Sequence, residues 1–113
     1  MKQEKFKVID CIRNIIIDID KELTNFPKKD IELKNRIRMN CYDMLELSYE
    51  ANTCSNNEIK KELINKVLAK VKIVDFLLDL SREKMILSHK KYLKLGLKLD
   101  DIAKYIVGWI KIL

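Results

Sequence analysis

The sequence predicts an all-α protein, with residues 1–113 forming one antiparallel up-down-up-down four-helix bundle. Apolar residues recur at steps of three and four along four long segments, which is the period of a helix. Only two glycines and one proline are present, too few for the turns of a sheet with many hairpins. Charged residues form 35% of the chain and hydrophobic residues 48%, a balance typical of amphipathic helices packed side by side.

The first helix is predicted over residues 2–23. The run Ile15–Ile17 alone would favour a strand, because isoleucine is a good strand former. The three-and-four spacing continues on both sides of that run, so a helix is favoured. The predicted buried stripe is Ile9, Ile12, Ile16, Ile19 and Leu23, with Val8, Cys11 and Ile15 beside it and Phe6 as an earlier anchor.

The second helix is predicted over residues 29–52. It follows a break at Thr24–Pro27, since proline disfavours helix in the residue before it and suits a first helical turn. Tyr42 and Tyr49 stand seven residues apart on a face of their own. These two and Tyr105, later in the chain, are candidates for stacking on bases or sealing a subunit contact. The predicted buried stripe is Leu33, Ile37, Cys41, Met44, Leu45, Ser48 and Ala51.

The third helix is predicted over residues 56–83, after a polar loop at residues 52–57. Ser55 and Glu58 stand in the S-x-x-E relation of a capping box, in which each side chain satisfies a backbone amide of the first turn. The predicted buried stripe is Ile64, Val67, Val71, Val74 and Leu78.

The fourth helix is predicted over residues 88–112, with Ser88 as its N-cap. Trp109 lies on the buried stripe, so a place in the core is favoured over an interface anchor. Lysines fall off the stripe, and the helix therefore closes the core while showing a basic face to water. The stripe is Tyr92, Leu95, Leu99, Ile102, Ile106, Trp109 and Leu113.

The positive charge is unevenly distributed along the chain. The net charge is +6, with pI near 9.2. Residues 1–54 carry ten basic and ten acidic side chains, residues 55–87 seven and five, and residues 88–113 six and two. Because the excess is confined to the second helical hairpin, an anionic partner such as RNA or single-stranded DNA is favoured over a solubility effect.

Basic residues at helical spacing are the candidate nucleic-acid contacts. Lys90, Lys94 and Lys98 stand at i, i+4 and i+8, a row that can follow a phosphate backbone, although a solvated helix face is an equal alternative. Arg36 and Arg38 are two residues apart on a helix and so diverge, which leaves surface solvation as likely as phosphate contact for them. The predicted set is Lys90, Lys91, Lys94, Lys98, Lys104, Arg36 and Arg38.

Chemistry-bearing residues are sparse, and the sequence predicts no catalytic residue, metal or cofactor. The three cysteines are far apart, which predicts free thiols in a reducing cytoplasm, and His89 has no ligand cluster beside it. Asp100 and Asp101 are adjacent on a helix and do not converge as an acid pair. Charged residues interrupt the first apolar segment, which argues against a signal peptide or membrane span.

Short motifs carry a family resemblance. The segments Phe26-Pro27-Lys28, Arg36-Ile37-Arg38, Met44–Leu47 and Glu50-Ala51-Asn52, with Gly108–Lys111 near the end, resemble the Avd-like four-helix-bundle accessory proteins of diversity-generating retroelements. The resemblance implies a non-enzymatic homopentamer that partners a reverse transcriptase and binds template RNA or cDNA. The related rRNA intervening-sequence proteins, which share the bundle, are the alternative, as an oligomeric scaffold with incidental charge.

Apolar residues beyond a single stripe independently predict self-association. They exceed what one core needs, and such surplus is typical of subunit interfaces. These residues are Val8, Cys11 and Ile15 on the first helix, with Leu93, Leu97 and Ile110 on the fourth.

Overall fold

The protein is all-α in the computed structural model, which describes the backbone of residues 2–113 and the side chains of residues 7–113. Helix α1 spans Lys2–Leu23, α2 Ile31–Thr53, α3 Asn57–Glu83 and α4 His89–Lys111, and a 3₁₀ turn at Lys28–Asp30 precedes α2. No strand occurs within the described backbone. The all-α class is confirmed, and the four helices begin and end within two residues of their predicted bounds. The predicted anchor Phe6 lies outside the described side chains.

The helices pack in a cycle compatible with a four-helix bundle. Helix α1 contacts α2 and α4, and α3 contacts the same two helices. Over residues 2–113 neither α1 with α3 nor α2 with α4 makes contact, so these pairs lie on the diagonals. The predicted stripe of α3 is fully buried, and Trp109 of α4, at 1% exposure, is a core residue as predicted. Four residues of the predicted stripes of α2 and α4 are only partly buried: Leu33, Leu45, Tyr92 and Leu113.

The prediction that Val8, Cys11 and Ile15 exceed what one core needs is wrong for Val8 and Ile15. Val8 and Ile15 are 0% and 1% exposed and lie in the core, whereas Ile16 of the predicted stripe is only partly buried. The buried face of α1 is wider than one three-and-four stripe because two helices flank it. Among the residues predicted to drive self-association, only Leu93 and Leu97 are largely exposed.

Two helix starts show how side chains satisfy free amides. At α4 the prediction is confirmed, since the Ser88 hydroxyl accepts a hydrogen bond from the Lys91 N–H at 3.1 Å. At α3 the N-cap is Asn56 rather than the predicted Ser55, and its Oδ1 accepts from the N–H groups of Glu58 and Ile59. Asparagine and serine cap about equally well, so the sequence alone could not decide between neighbouring candidates.

A buried ion pair joins the two connections at one end of the bundle. The Asp30 carboxylate, whose side chain is 5% exposed, lies at the start of α2, and the Lys84 ammonium lies 2.9 Å from its Oδ1. The second carboxylate oxygen is buried without a hydrogen-bond partner among the described side chains. Lys84 is therefore the counter-charge that makes burial of Asp30 tolerable.

Replacing Lys84 by methionine should lower the free energy of unfolding by about 1–3 kcal/mol, because it leaves a buried carboxylate without its partner. The loss should fall short of the value for a fully buried pair, since the Lys84 side chain is 46% exposed. Urea denaturation measures the change. Lys29→Met, a nearby exposed lysine that makes no ion pair within residues 7–113, is the matched control and should shift stability little.

The C-terminus of α3 has the hydrogen bonds of a Schellman motif. The Ile86 N–H donates to the Ser81 carbonyl and the Met85 N–H to the Arg82 carbonyl, each at 2.9 Å. Met85 occupies the left-handed position of this motif with φ of 62°, a position usually held by glycine. Its side chain is 92% exposed, so packing does not offset the cost of that conformation.

Met85→Gly should raise the free energy of unfolding by about 0.5–1 kcal/mol. Relief of the left-handed conformation is worth about 1–2 kcal/mol, and the greater chain entropy of unfolded glycine removes about 0.5–1 kcal/mol of that gain. Met85→Ala is the control, because alanine keeps the unfavourable φ. Equal stability of the two variants would contradict the conformational explanation.

Candidate nucleic-acid interface

The lysines of α4 lie beside carboxylates of α1. The Lys91 ammonium lies 3.0 Å from Glu22, and the Lys98 ammonium contacts Asp18. Lys94 lies between these pairs and lines a cleft of about 220 Å³ between the two helices. Two of the five α4 lysines in the predicted phosphate-binding set are thus already paired, a relation between helices that sequence spacing could not reveal.

The remaining lysines keep this surface basic. Lys90, Lys94 and Lys104 are exposed and make no ion pair within residues 7–113. From α1, Lys21 lines the cleft, and the Lys7 ammonium lies 5.3 Å from the centre of the Tyr105 ring. We call this surface the α1–α4 face, defined by Lys7 and Lys21 of α1 and Lys90, Lys91, Lys94 and Lys98 of α4, with Lys104, seven residues after Leu97, at its outer edge.

The two predicted arginines lie elsewhere. Both belong to α2, which makes no contact with α4 in the described part of the chain. Arg38 lies 3.5 Å from Asp20 of α1, and Arg36 lines a concavity of about 350 Å³ on the opposite side of α2. The structure therefore divides the predicted set into the α4 lysines and two separate arginines.

A cluster of polar side chains from α2 and α3 lies beside Arg36 and pairs the charge of Lys70. The Lys70 ammonium of α3 lies 3.2 Å from both the Asn40 Oδ1 and the Asp43 Oδ2 of α2. The Asn40 amide also donates to the Arg36 carbonyl. These contacts link α2 and α3 by matched polar groups, so this surface offers less unpaired positive charge than the α1–α4 face.

The predicted tyrosine face is present but apart from the lysines. Tyr42 and Tyr49 are 48% and 42% exposed on α2. Their rings are accessible enough to stack on a base or a partner, yet the diagonal position of α2 keeps them away from α4. Stacking on Tyr42 or Tyr49 would thus occur away from the α4 lysines, whereas Tyr105, the third predicted stacking residue, lines a concavity with Lys98 between α1 and α4.

Tyr92 of α4 is a titratable group that links α4 to α3 through a side-chain hydrogen bond. Its hydroxyl donates to the Asp75 Oδ1 of α3 at 3.0 Å, and the Arg82 guanidinium lies 5.8 Å from its ring centre. Burial and the hydrogen bond to Asp75 raise the pKa of Tyr92 to about 12. The sequence placed Tyr92 on the core stripe, but no pattern within one helix could reveal this cross-helix bond.

The cysteines are free thiols, and two of them are held in the neutral form. Burial raises the pKa of Cys41 to about 12. Burial and the nearby carboxylates of Asp10 and Asp101 also raise the pKa of Cys11. Since the thiolate is the nucleophile, these two thiols are weak nucleophiles near neutral pH.

Metal sites and membrane-spanning helices are two further features for which the described residues were considered as candidates. In residues 7–113, no three histidine, cysteine or acidic side chains come together in a way that could hold a metal ion. Within that same part of the chain, no helix is both long and apolar enough to cross a membrane.

Comparison with known proteins adds no assignment: no family model, curated protein or solved structure matches the chain. The resemblance to Avd-like proteins therefore depends on the short motifs alone and stays a prediction. The charges and contacts of the α1–α4 face are the physical basis for a functional proposal.

The raised pKa of Tyr92 predicts a pH dependence of stability. An ordinary tyrosine has a pKa near 10, so the folded state favours neutral Tyr92. Its contribution is complete below pH 10 and should be lost as pH rises through about 12. Tyr92→Phe should abolish that part of the decline in unfolding free energy, as measured by urea denaturation at each pH.

Asp75→Asn is the companion variant for this titration. It removes the carboxylate charge but leaves the burial of the ring, which is the largest cause of the shift. The pKa of Tyr92, followed by phenolate absorbance, should fall only part of the way to its ordinary value. An unchanged pKa would show that Asp75 does not act on the hydroxyl.

Proposed function

We propose that this protein is a non-enzymatic nucleic-acid-binding accessory protein that holds RNA or single-stranded DNA along the α1–α4 face. The observation on which the proposal depends is a group of three exposed lysines that make no ion pair within residues 7–113. They are Lys90, Lys94 and Lys104. The resemblance supports the biological setting, a diversity-generating retroelement in which the protein assists its reverse transcriptase during mutagenic copying of template RNA into cDNA.

The physical mode of binding follows from the residue types. Lysine ammonium groups contact phosphate as point charges and carry little base information. Lys90 and Lys104 are fourteen residues apart, about 21 Å along a helix, so the face can follow several successive phosphates. Affinity should therefore fall steeply with salt and depend weakly on base sequence.

The order of contacts supports an antiparallel bundle as part of the proposal. Between α1 and α4, Asp18 pairs with Lys98 and Glu22 with Lys91, so residue numbers rise on one helix as they fall on the other. The connections between the helices are short, which is typical of antiparallel neighbours.

Self-association is a further part of the proposal. The resemblance implies a pentamer, in which the lysine row would be repeated once per subunit and weak phosphate contacts would add through avidity. Light scattering measures the copy number directly against the 13.4 kDa mass of one chain.

The second candidate function is an oligomeric scaffold related to the rRNA intervening-sequence proteins. The pairs Lys91–Glu22 and Lys98–Asp18 favour it, since they show that part of the charge on α4 serves helix packing. A protein that fails to bind any nucleic acid at low salt would support this function over the first.

Charge reversal on the α1–α4 face tests the proposal. Lys94→Glu with Lys104→Glu should weaken binding of a single-stranded RNA at least tenfold, about 1.4 kcal/mol, measured by fluorescence anisotropy. Lys98 stays unchanged, because reversing it would place two carboxylates together at Asp18. Circular dichroism should show unchanged helicity.

The matched control reverses two exposed lysines of α3, Lys61→Glu with Lys66→Glu. It changes net charge equally on a helix that does not contact α1 within residues 2–113. If both double variants weaken binding equally, the effect comes from net charge and the α1–α4 face is not the site.

The reverse-transcriptase partnership has its own test. The protein should co-elute on size exclusion with the reverse transcriptase of a retroelement encoded beside its gene. Absence of such a gene in the neighbourhood, or separate elution of the two purified proteins, would contradict the retroelement setting while leaving nucleic-acid binding intact.

A further inference from the structure

Two leucines interrupt the charged surface of α4. Leu93 is 49% and Leu97 67% exposed, and they stand one turn apart on the side of the helix that faces away from the core. Single exposed apolar residues are ordinary, but an adjacent pair on the outermost face of a helix offers a contact for another helix.

Charged residues flank this pair on the edge toward α1. Asp101 lines a concavity with Cys11 of α1, and Lys94, one turn after Lys90, lines the cleft with Glu22. Lys90 and Asp101 therefore lie on the same edge, eleven residues apart. Neither makes an ion pair within the described side chains.

The edge toward α3 repeats the pattern. Asp100 lines a groove of about 140 Å³ with Asp75 and Tyr92. His89 lies on the same edge as Tyr92, three residues before it, and is exposed. His89 and Asp100 are also eleven residues apart, with the hydrogen-bond donor again the nearer to the start of the helix.

These three pairs have almost the same centre. The midpoint of Leu93 and Leu97 is residue 95, and the two charged pairs are centred within half a residue of it. An antiparallel copy of α4 placed over this point would set Leu93 against the other Leu97. The same placement would set Lys90 opposite the other Asp101 and His89 opposite the other Asp100.

We propose that two copies of this chain associate through α4, in an isologous contact whose two-fold axis passes residue 95. Complementarity selects a second copy as the occupant, because on one edge Lys90 meets the opposite charge of Asp101 and on the other the His89 ring can donate a hydrogen bond to Asp100. The inference does not depend on nucleic-acid binding, but it replaces the pentamer of the proposed function by a dimer and takes Lys90 into the contact between the copies.

The two-fold axis has a consequence for the basic surface. The axis lies perpendicular both to the helix axis and to the line that joins the two α4 helices. The edge of α4 toward α1 in one copy therefore lies on the same side of the dimer as that edge in the other copy. Both α1–α4 faces would then lie on one side of the dimer, with Lys94 and Lys98 of each copy extending one basic surface.

The contact is small, so the dimer should be weak. A single helix pair buries less than the roughly 1,200–2,000 Å² of a standard stable interface. An isologous contact closes after two copies. It therefore predicts twice the 13.4 kDa chain mass rather than the pentamer that the family resemblance implies.

Sedimentation velocity of the full chain without nucleic acid tests the inference. The dimer fraction should rise with concentration in the micromolar to millimolar range, and Leu93→Ser with Leu97→Ser should weaken dimerisation at least tenfold. The matched control is Phe76→Ser, which changes a side chain on α3 that is 63% exposed and should leave the dimer intact.

A charge swap tests the register of the two helices. Lys90→Asp and Asp101→Lys should each weaken the dimer, since each places like charges opposite one another, and the double variant should restore it. Lys90→Asp should not harm folding, because an acidic residue in the first turn of a helix is favourable. A double variant as weak as either single variant would overturn the register.

The remaining outcomes also decide the matter. A monomer at every concentration, a pentamer, or a dimer that survives the double serine change would overturn the α4 contact. None of those results bears on RNA binding, which is measured separately. Conversely, a dimer that binds no nucleic acid would contradict the proposed function and leave this contact standing.

Discussion

Burial of an apolar face on each of four helices is the constraint on which the rest of the structure depends. Once α1 is flanked by both α2 and α4, its buried face must be wide, which places Val8 and Ile15 in the core. The same cycle of contacts fixes which charged edges meet. The ion pairs between α1 and α4, and the cluster between α2 and α3, are consequences of that packing.

The sequence was sufficient for the features that depend on one helix at a time. The period of three and four predicted the bounds of the helices and the buried position of Trp109, and the N-cap preference of serine predicted the cap at Ser88. The sequence did not predict features that depend on a choice between neighbouring residues or on contact between two helices. Asn56 replaced Ser55 as a cap because both residues can do the work, and the partners of Lys91 and Lys98 lie some 70–80 residues away along the chain.

The candidate site could be predicted in part for the same reason. Helical spacing identified the row of Lys90, Lys94 and Lys98, because such a row is a property of α4 alone. Spacing could not tell that Arg36 and Arg38 lie on the diagonal helix, since adjacency of helices is set by the core. Spacing also could not show which lysines of α4 remain unpaired, because the ion-pair partners are carboxylates of α1.

Those carboxylates would compete with the phosphates of a bound nucleic acid for two lysines of the α1–α4 face. Asp18 and Glu22 already place oxygen anions on Lys98 and Lys91, where a phosphate oxygen would otherwise bind. A nucleic acid that reaches these two lysines exchanges one anionic ligand for another and releases few cations from its own atmosphere there. The steep salt dependence expected of the proposed interface would then come from Lys90, Lys94 and Lys104, and its slope would leave out the two paired lysines.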